Sequence, residues 1–547
     1  MKSIFKTMLL ATTASAVLFS CTDLEEDLVG DITEAVSVTA PSLGGDSGGA
    51  GDALAGAYSQ LQWSGTANHF SYFSIQGLPS DEMAIAAKGG DWYDGGVLVE
   101  MHEHNYTPTN GIIGNTWGGQ YGAIGAINDA IANLGLSPQE INQMRALRAY
   151  FYWRMLDLYG GVKIVTAPGQ EVAQSTRQEV YNFVESELLA ALGTTEISAN
   201  TVFQDTGLQE SFGTTYRINR FGALGILAKL YLNHDAYNGT AAADAATFTK
   251  AAQAAKIIMD SGRYSLCETA DCDVVNLGRR PSVSDDPERL AGYAAVFAAN
   301  NDQNREHIFA VGYDEATAGG MNFAKMTLHY SSQLTWNFQD QPWNGYAALE
   351  EFYNSYDSND LRKANNFIVG PQLDYGGNAL NDFAADDTDA SGNAQIQLDY
   401  TPQINELQPN SLRQAGARLG KFSFKQFGRP DQSNDFPIVR YGDVILMYAE
   451  ATARAAGDWN NATTRGVVEQ IRSRAGLSST PAVTADFFLA ERGREMFQES
   501  SRRTDLIRFG KYGEAWWNKP ASAAHKTLMP IPFDAVSNNG FTQNDGY

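Results

Sequence analysis

The sequence predicts a mainly α protein, a stack of helical hairpins carrying an irregular, loop-rich subdomain for a ligand. Two helix starts are written out as capping boxes, Ser137 with Glu140 and Thr176 with Glu179. Behind these and other starts, apolar residues recur at spacings of three and four in paired stretches. Between the pairs, residues 64–113 and 262–435 are rich in glycine, asparagine, aspartate and aromatics, with short apolar runs and few helical stripes, and read as loops.

The best-defined stretch is 137–161. Ser137 is the N-cap, Pro138 suits the first helical position, and Gly160 and Gly161 stop the helix. Ile141, Met144, Leu147, Phe151, Met155 and Leu158 give it one apolar stripe, about 30 Å long at 1.5 Å per residue. Its partner is 176–192, with Tyr181, Val184, Leu188 and Leu192 on one face. Further pairs are 53–63 with 115–134, 220–237 with 248–261, and 441–456 with 463–475. Such degenerate pairs resemble tetratricopeptide repeats, in which neighbouring hairpins bury each other's apolar faces.

The N-terminus reads as an export signal over residues 1–20: Lys2 and Lys6 precede an apolar run, Met8 to Phe19, that is too short to span a bilayer. Leu18-Phe19-Ser20-Cys21 resembles a bacterial lipobox, which makes Cys21 the lipid anchor. Two or more acyl chains give a stable membrane attachment. Residues 21–52 then form the lipidated end and a flexible tether, glycine- and serine-rich from Pro41, with the fold over 53–547. The acidic run Asp23-Leu24-Glu25-Glu26-Asp27 resembles the surface-export signal of lipoproteins in Bacteroidetes-type bacteria. The remaining cysteines, Cys267 and Cys272, are close in sequence, and in an exported chain they read as a local disulfide.

With 39 basic and 63 acidic residues the formal charge is -24, which repels phosphate backbones and disfavours nucleic acid as a partner. A neutral ligand suits this body better. Asp387, Asp389, Ser391 and Gly392 fall at the spacing that opens a calcium loop, but position twelve would be Leu398, which offers no carboxylate. A solvated turn is the better reading. His102 and His104, an isolated pair, are weak evidence for metal, and no metal or cofactor is expected.

Several stretches together resemble the SusD/RagB family of starch-utilisation-type outer-membrane lipoproteins. Arg148-Ala149-Tyr150-Phe151 through Leu158-Tyr159-Gly160-Gly161 is similar to that family's RAYFYF–LYGG helix, and Arg177 to Tyr181 to its R.EVY start. Arg440 to Ala451 resembles the segment RYADVLLMYAEA, with Gly442 where alanine is frequent. Arg472 to Leu477, Glu491 to Glu499, Arg502 to Phe509, Pro530 to Pro532 and Gln543 to Tyr547 follow in the family's order, with Asp545 where proline is usual. The resemblance implies a tetratricopeptide-like scaffold with an irregular ligand-binding subdomain. It also implies a cell-surface protein that captures oligo- or polysaccharide and hands it to a TonB-dependent, SusC-like transporter as its lid.

An enzyme would draw first on Glu491, Glu495 and Glu499, spaced four apart. Hydrolytic carboxylates must straddle a bond across a cleft, and three glutamates on one helical stripe straddle nothing. With arginines interleaved, they suit a structural ion-pair network clamping the last helix to the scaffold. Binding without chemistry has better candidates. Glycines flank Asp91, Trp92, Tyr93 and Asp94, which would hold the aromatic pair out as a stacking platform with carboxylates ready for sugar hydroxyls. A second cluster mixes Trp336 and Asn337 with Trp343 and Asn344, although Pro342-Trp343-Asn344-Gly345 looks turn-forming, which makes Trp343 the more structural tryptophan. Trp516 and Trp517 are expected to pack on the last helix. Two rival readings are a peptide-binding lid of the RagB type and a glycoside hydrolase.

Overall fold

The computed structural model describes residues 53–238, 245–278, 288–317, 319–382 and 396–547. Cys21, the proposed tether and the Asp387–Gly392 spacing lie outside the described residues. The described residues belong to one compact unit, Pro41–Tyr547.

Each expected hairpin forms. The scaffold helices are α1 (Ala55–Trp63), α2 (Gly111–Asn133), α3 (Pro138–Tyr159), α4 (Arg177–Leu192), α5 (Arg220–Leu232), α6 (Ala245–Asp260), α7 (Tyr441–Ala456) and α8 (Ala462–Arg474). Each packs against the next, so the hairpins stack in chain order. Both capping boxes are closed: the Ser137 and Thr176 side chains accept from the Glu140 and Glu179 amides, and each glutamate reaches back to the cap amide. Helix α2 begins earlier than its apolar periodicity, because the Asn110 side chain accepts from the Ile112 amide at 3.1 Å. Two further helices, α9 (Ala485–Met496) and α10 (Arg502–Arg508), follow α8, and a short helix, Phe533–Asn539, lies near the C-terminus.

Helix α3 differs from its reading as a one-striped helix: residues 146–159 are buried on every side. It lies at the centre of the stack, between α2 and α4, so its polar residues needed partners inside the core. Arg148 pairs with Glu187 at 2.6 Å, and Asp157 with Arg503 at 2.8 Å. The Arg154 guanidinium donates to Thr66 Oγ1 at 2.7 Å and lies 3.8 Å from the centroid of the Tyr72 ring.

The regions read as loops are not structureless. They are organised by short antiparallel ladders. Strand β1 (Met83–Ala84) pairs with β3 (Ala347–Ala348), and β2 (His307–Val311) pairs with β6 (Phe436–Arg440); β4 (Phe367–Ile368) pairs with β5 (Arg418–Leu419). Two- to five-residue strands carry too little periodicity to be read from sequence. The β2–β6 ladder lies on α5, where a Cβ on Gly225 would meet Val439 Cγ1 at 2.4 Å, so only glycine fits there. Cys267 and Cys272 are joined by a disulfide, with Cα atoms 5.1 Å apart.

Glu491 and Glu495 of α9, and Glu499 just past its end and so off the expected helical stripe, sit in a buried ion cluster that joins the loop-rich part to the scaffold. Arg440 donates to Glu499 at 2.7 Å, Glu495 at 3.0 Å and Glu306 at 3.1 Å. Arg362 holds Glu491 at 2.6 Å and Glu495 at 3.2 Å; Arg474 adds Glu495 and Glu306, and Lys421 adds Glu499. Burial alone would push the Glu491 carboxyl up, but Arg362 and Arg494 more than reverse this and hold it down at about 2. The clamp is there, but it fastens strands and short helices of the loop-rich part as well as α7, α8 and α9. Arg502 and Arg508, which follow these glutamates in sequence, pair elsewhere, with Asp81 and with Glu450.

Candidate binding cleft

The β1–β3 ladder positions the site. Its antiparallel register, Met83 with Ala348 and Ala84 with Ala347, runs the chain after Ala84 alongside the chain before Ala347. The Lys88–Gly96 loop is thereby brought against residues 341–345. A third segment joins them, as the Gly89 amide donates to the Pro409 carbonyl at 3.0 Å and the Ser411 amide to the Ala87 carbonyl at 2.8 Å. The result is an open cleft of about 330 Å³, lined by His69, Asp91, Trp92, Asp94, Tyr330, Gln341, Pro342 and Trp343.

Both sequence clusters thus contribute to one site, but their tryptophans have exchanged roles. Trp92 is not held out. It is 7% exposed, its Nε1 donates to the Trp343 carbonyl, and its ring meets the His69 ring edge-on at 5.3 Å. A Cβ on Gly345 would lie 2.7 Å from Trp92 Cη2, so the glycine of Pro-Trp-Asn-Gly is what lets this ring lie flat in the floor. Trp343, read as the more structural of its pair, is 48% exposed. Its amide donates to the Lys325 carbonyl at 2.6 Å, and Lys325 Nζ stands 4.7 Å from its ring centroid. Tyr93 is also 48% exposed, beside the cleft.

Trp92 at φ 59° and Asp94 at φ 45° are left-handed, followed by Gly95 and Gly96. For side chains other than glycine that conformation is strained, and such strain concentrates where a loop must present ligand groups. Asp91 is fixed by Arg413 at 3.0 Å and by the Tyr330 hydroxyl, both on Oδ2, while its side chain remains 43% exposed. It can therefore accept from a ligand without reorganising. Burial holds the His69 imidazole down at about 4, so it is neutral and bonded through Nδ1 to the Tyr346 hydroxyl at 3.0 Å.

The other candidates lie elsewhere. Asn344 is buried, donating to the Arg413 carbonyl at 2.9 Å and accepting from Arg418 at 2.8 Å, so both ends of its amide are engaged inside the fold. Trp336 stacks on Phe338 and meets Phe424 edge-on, in a separate cluster, and Asn337 is the exposed left-handed cap of a short helix there. His102 and His104 are buried and turn to different partners, the Trp517 carbonyl and Ser522, so they share no ligand. Trp516 and Trp517 are partly buried against the main core and meet these two histidines edge-on. Sequence reasoning missed His69, Tyr330 and Arg413, which have no local signature and reach the cleft only through tertiary pairing.

Fold and cleft together define a helical-repeat protein with a loop-built aromatic binding face. The SusD family model matches residues 305–547. The starch-binding protein SusD of Bacteroides thetaiotaomicron is 24% identical over 450 residues, covering 74% of this chain and 72% of that protein. Among solved structures, a laminarin-binding SusD-like protein superposes with a TM-score of 0.64 at 21% identity, covering 90% of this chain and 98% of that one. Surface glycan-binding protein A from Bacteroides thetaiotaomicron, in complex with laminarihexaose, gives 0.64 at 19% identity with the same coverages. The chain is SusD-like in fold, and its residues 305–547 carry the SusD family's region.

Proposed function

We propose that this chain captures a neutral oligo- or polysaccharide at the cell surface, without catalysis, and passes it to a SusC-like TonB-dependent transporter as its lid. The observation that carries the reading is the cleft itself. A pyranose has an apolar face and a rim of hydroxyls, and the exposed Trp343 ring offers a platform for the first while Asp91 and Asp94 accept from the second. The floor is packed, with Trp92 buried and bonded to the Trp343 carbonyl, so little ordering is needed on binding. The names of the relatives agree, being starch-binding, laminarin-binding and glycan-binding proteins. Glu491, Glu495 and Glu499 are buried and paired with arginine, which suits a structural role and not a pair of carboxylates flanking a bond.

The test is calorimetric titration of wild type and Trp343→Ala against a panel of neutral oligosaccharides. Loss of the platform should weaken binding by about 1 to 3 kcal/mol with folding unchanged. Full affinity in the variant would move the site elsewhere.

Attachment through a lipidated Cys21 and residence on the outer membrane complete the proposal. No helix among the described residues is long and apolar enough to cross a membrane. Cys21→Ala should therefore leave a folded protein that no longer sediments with outer membranes. Retention in membranes that lack a partner barrel would refute the anchor.

A further inference from the structure

A second cleft, of about 250 Å³, opens beside the first and is lined by Gln62, Trp63, Asn68, Lys325, Arg429 and Asp431, among others. The two clefts share one ridge. Asn68 lines the second and its neighbour His69 the first; Lys325 lines the second while its Nζ covers the Trp343 ring of the first. At the far side stands Trp63, the last residue of α1 and the most exposed tryptophan of the described residues at 67%. Its helix is anchored by buried Tyr58 and Leu61 on the opposite face, and Gln62 is tied by its amide to the Gly312 carbonyl. The ring is thus held out on a rigid element and is in stacking contact with none of the described aromatic residues.

We propose that Trp63 is the distal platform of the same binding site, so that one glycan chain crosses the Lys325 ridge and rests on Trp343 and Trp63 together. This rests on the glycan reading of the Trp343 cleft. Each cleft alone is at or below the low end of the roughly 300–1,000 Å³ typical of ligand sites, and only both together give an oligosaccharide room. The cations on and beside the ridge already have acid partners: Lys325 is 2.8 Å from Asp431, and Arg429 is 3.4 Å from Asp340. An anionic substituent would have to displace those carboxylates, so the segment lying there is uncharged, and its hydroxyls meet Gln62, Asn68 and the ion pairs. The preferred ligand is therefore a neutral chain long enough to span both platforms, recognised along its length and not by its end.

The experiment compares wild type, Trp343→Ala, Trp63→Ala and Trp63→Phe in affinity electrophoresis and calorimetry. The probes are size-graded ladders of neutral α-1,4-glucan, β-1,3-glucan, xylan and mannan oligosaccharides. Wild-type affinity should rise with chain length and then level off. Trp63→Ala should bind the long oligomers about tenfold more weakly and the shortest binding oligomer as wild type does, and Trp63→Phe should restore most of the loss. Equal affinity of wild type and Trp63→Ala at every length, with Trp343→Ala impaired, overturns the distal platform alone. Binding that Trp343→Ala retains in full overturns the underlying site, and failure of every ladder to bind wild type counts against both.

Discussion

The ion cluster under α9 and the cleft beside Trp343 both gather carboxylates near arginine, yet they treat charge in opposite ways. In the cluster, Glu495 and Arg440 are essentially without exposed surface, and each has several partners. Pairs so deep contribute little net stabilisation when intact but leave a naked buried charge when broken. In the cleft, Asp91 has an arginine and a tyrosine on one oxygen and is otherwise open to solvent. One arrangement joins the strands of the loop-rich part to the scaffold. The other leaves hydrogen-bonding capacity for a ligand.

The largest effect should come with acid, acting on the paired carboxylates and reaching the cleft only through the fold. Glu491 and Glu450 both sit at about 2, against an ordinary 4.5, because flanking arginines outweigh the effect of burial. Since the folded-state values are depressed, their stabilisation is complete above about 4.5 and is lost as the pH falls from there towards 2. Circular dichroism across that window should show cooperative unfolding, with the cleft lost only together with the fold. Loss of ligand binding well above the unfolding transition would show that the two regions titrate separately.

Next in size is Arg440→Ala, which leaves Glu306, Glu495 and Glu499 under-compensated in the interior. Urea denaturation should show a loss of about 3–5 kcal/mol. A loss below about 1 kcal/mol would mean that Arg362, Arg474 and Lys421 suffice without it.

Trp92→Ala should have a somewhat smaller effect, about 3 kcal/mol of stability, by opening a cavity under the cleft. Affinity should fall with it, since Trp343 takes its backbone contact from that ring. If stability were unchanged and affinity alone fell, Trp92 would be a contact residue of the kind the sequence suggested, and not part of a packed floor.

The helical scaffold was legible because its signals are local. Ser137, Pro138, Glu140 and Gly160 lie within one helix or at its ends, and their bonds form between residues three or four apart. The same holds for Thr176 and Glu179. The cleft was legible only in part. Its two contributing loops were visible as glycine-flanked aromatics, but Trp92 and Trp343 are 251 positions apart and were assigned each other's roles.

By itself, then, the sequence determined the helices, their pairing and the two aromatic loops, because capping, periodicity and glycine placement act over a few residues of chain. Only the tertiary structure decided which ring is buried and which is exposed. The difference lies in what stands behind each ring: Gly345 and His69 close over Trp92, whereas Trp343 has Lys325 along one side and solvent on the other. Burial is a property of neighbours brought together by the β1–β3 ladder, and no local pattern at Asp91-Trp92-Tyr93 or Pro342-Trp343-Asn344 encodes that pairing.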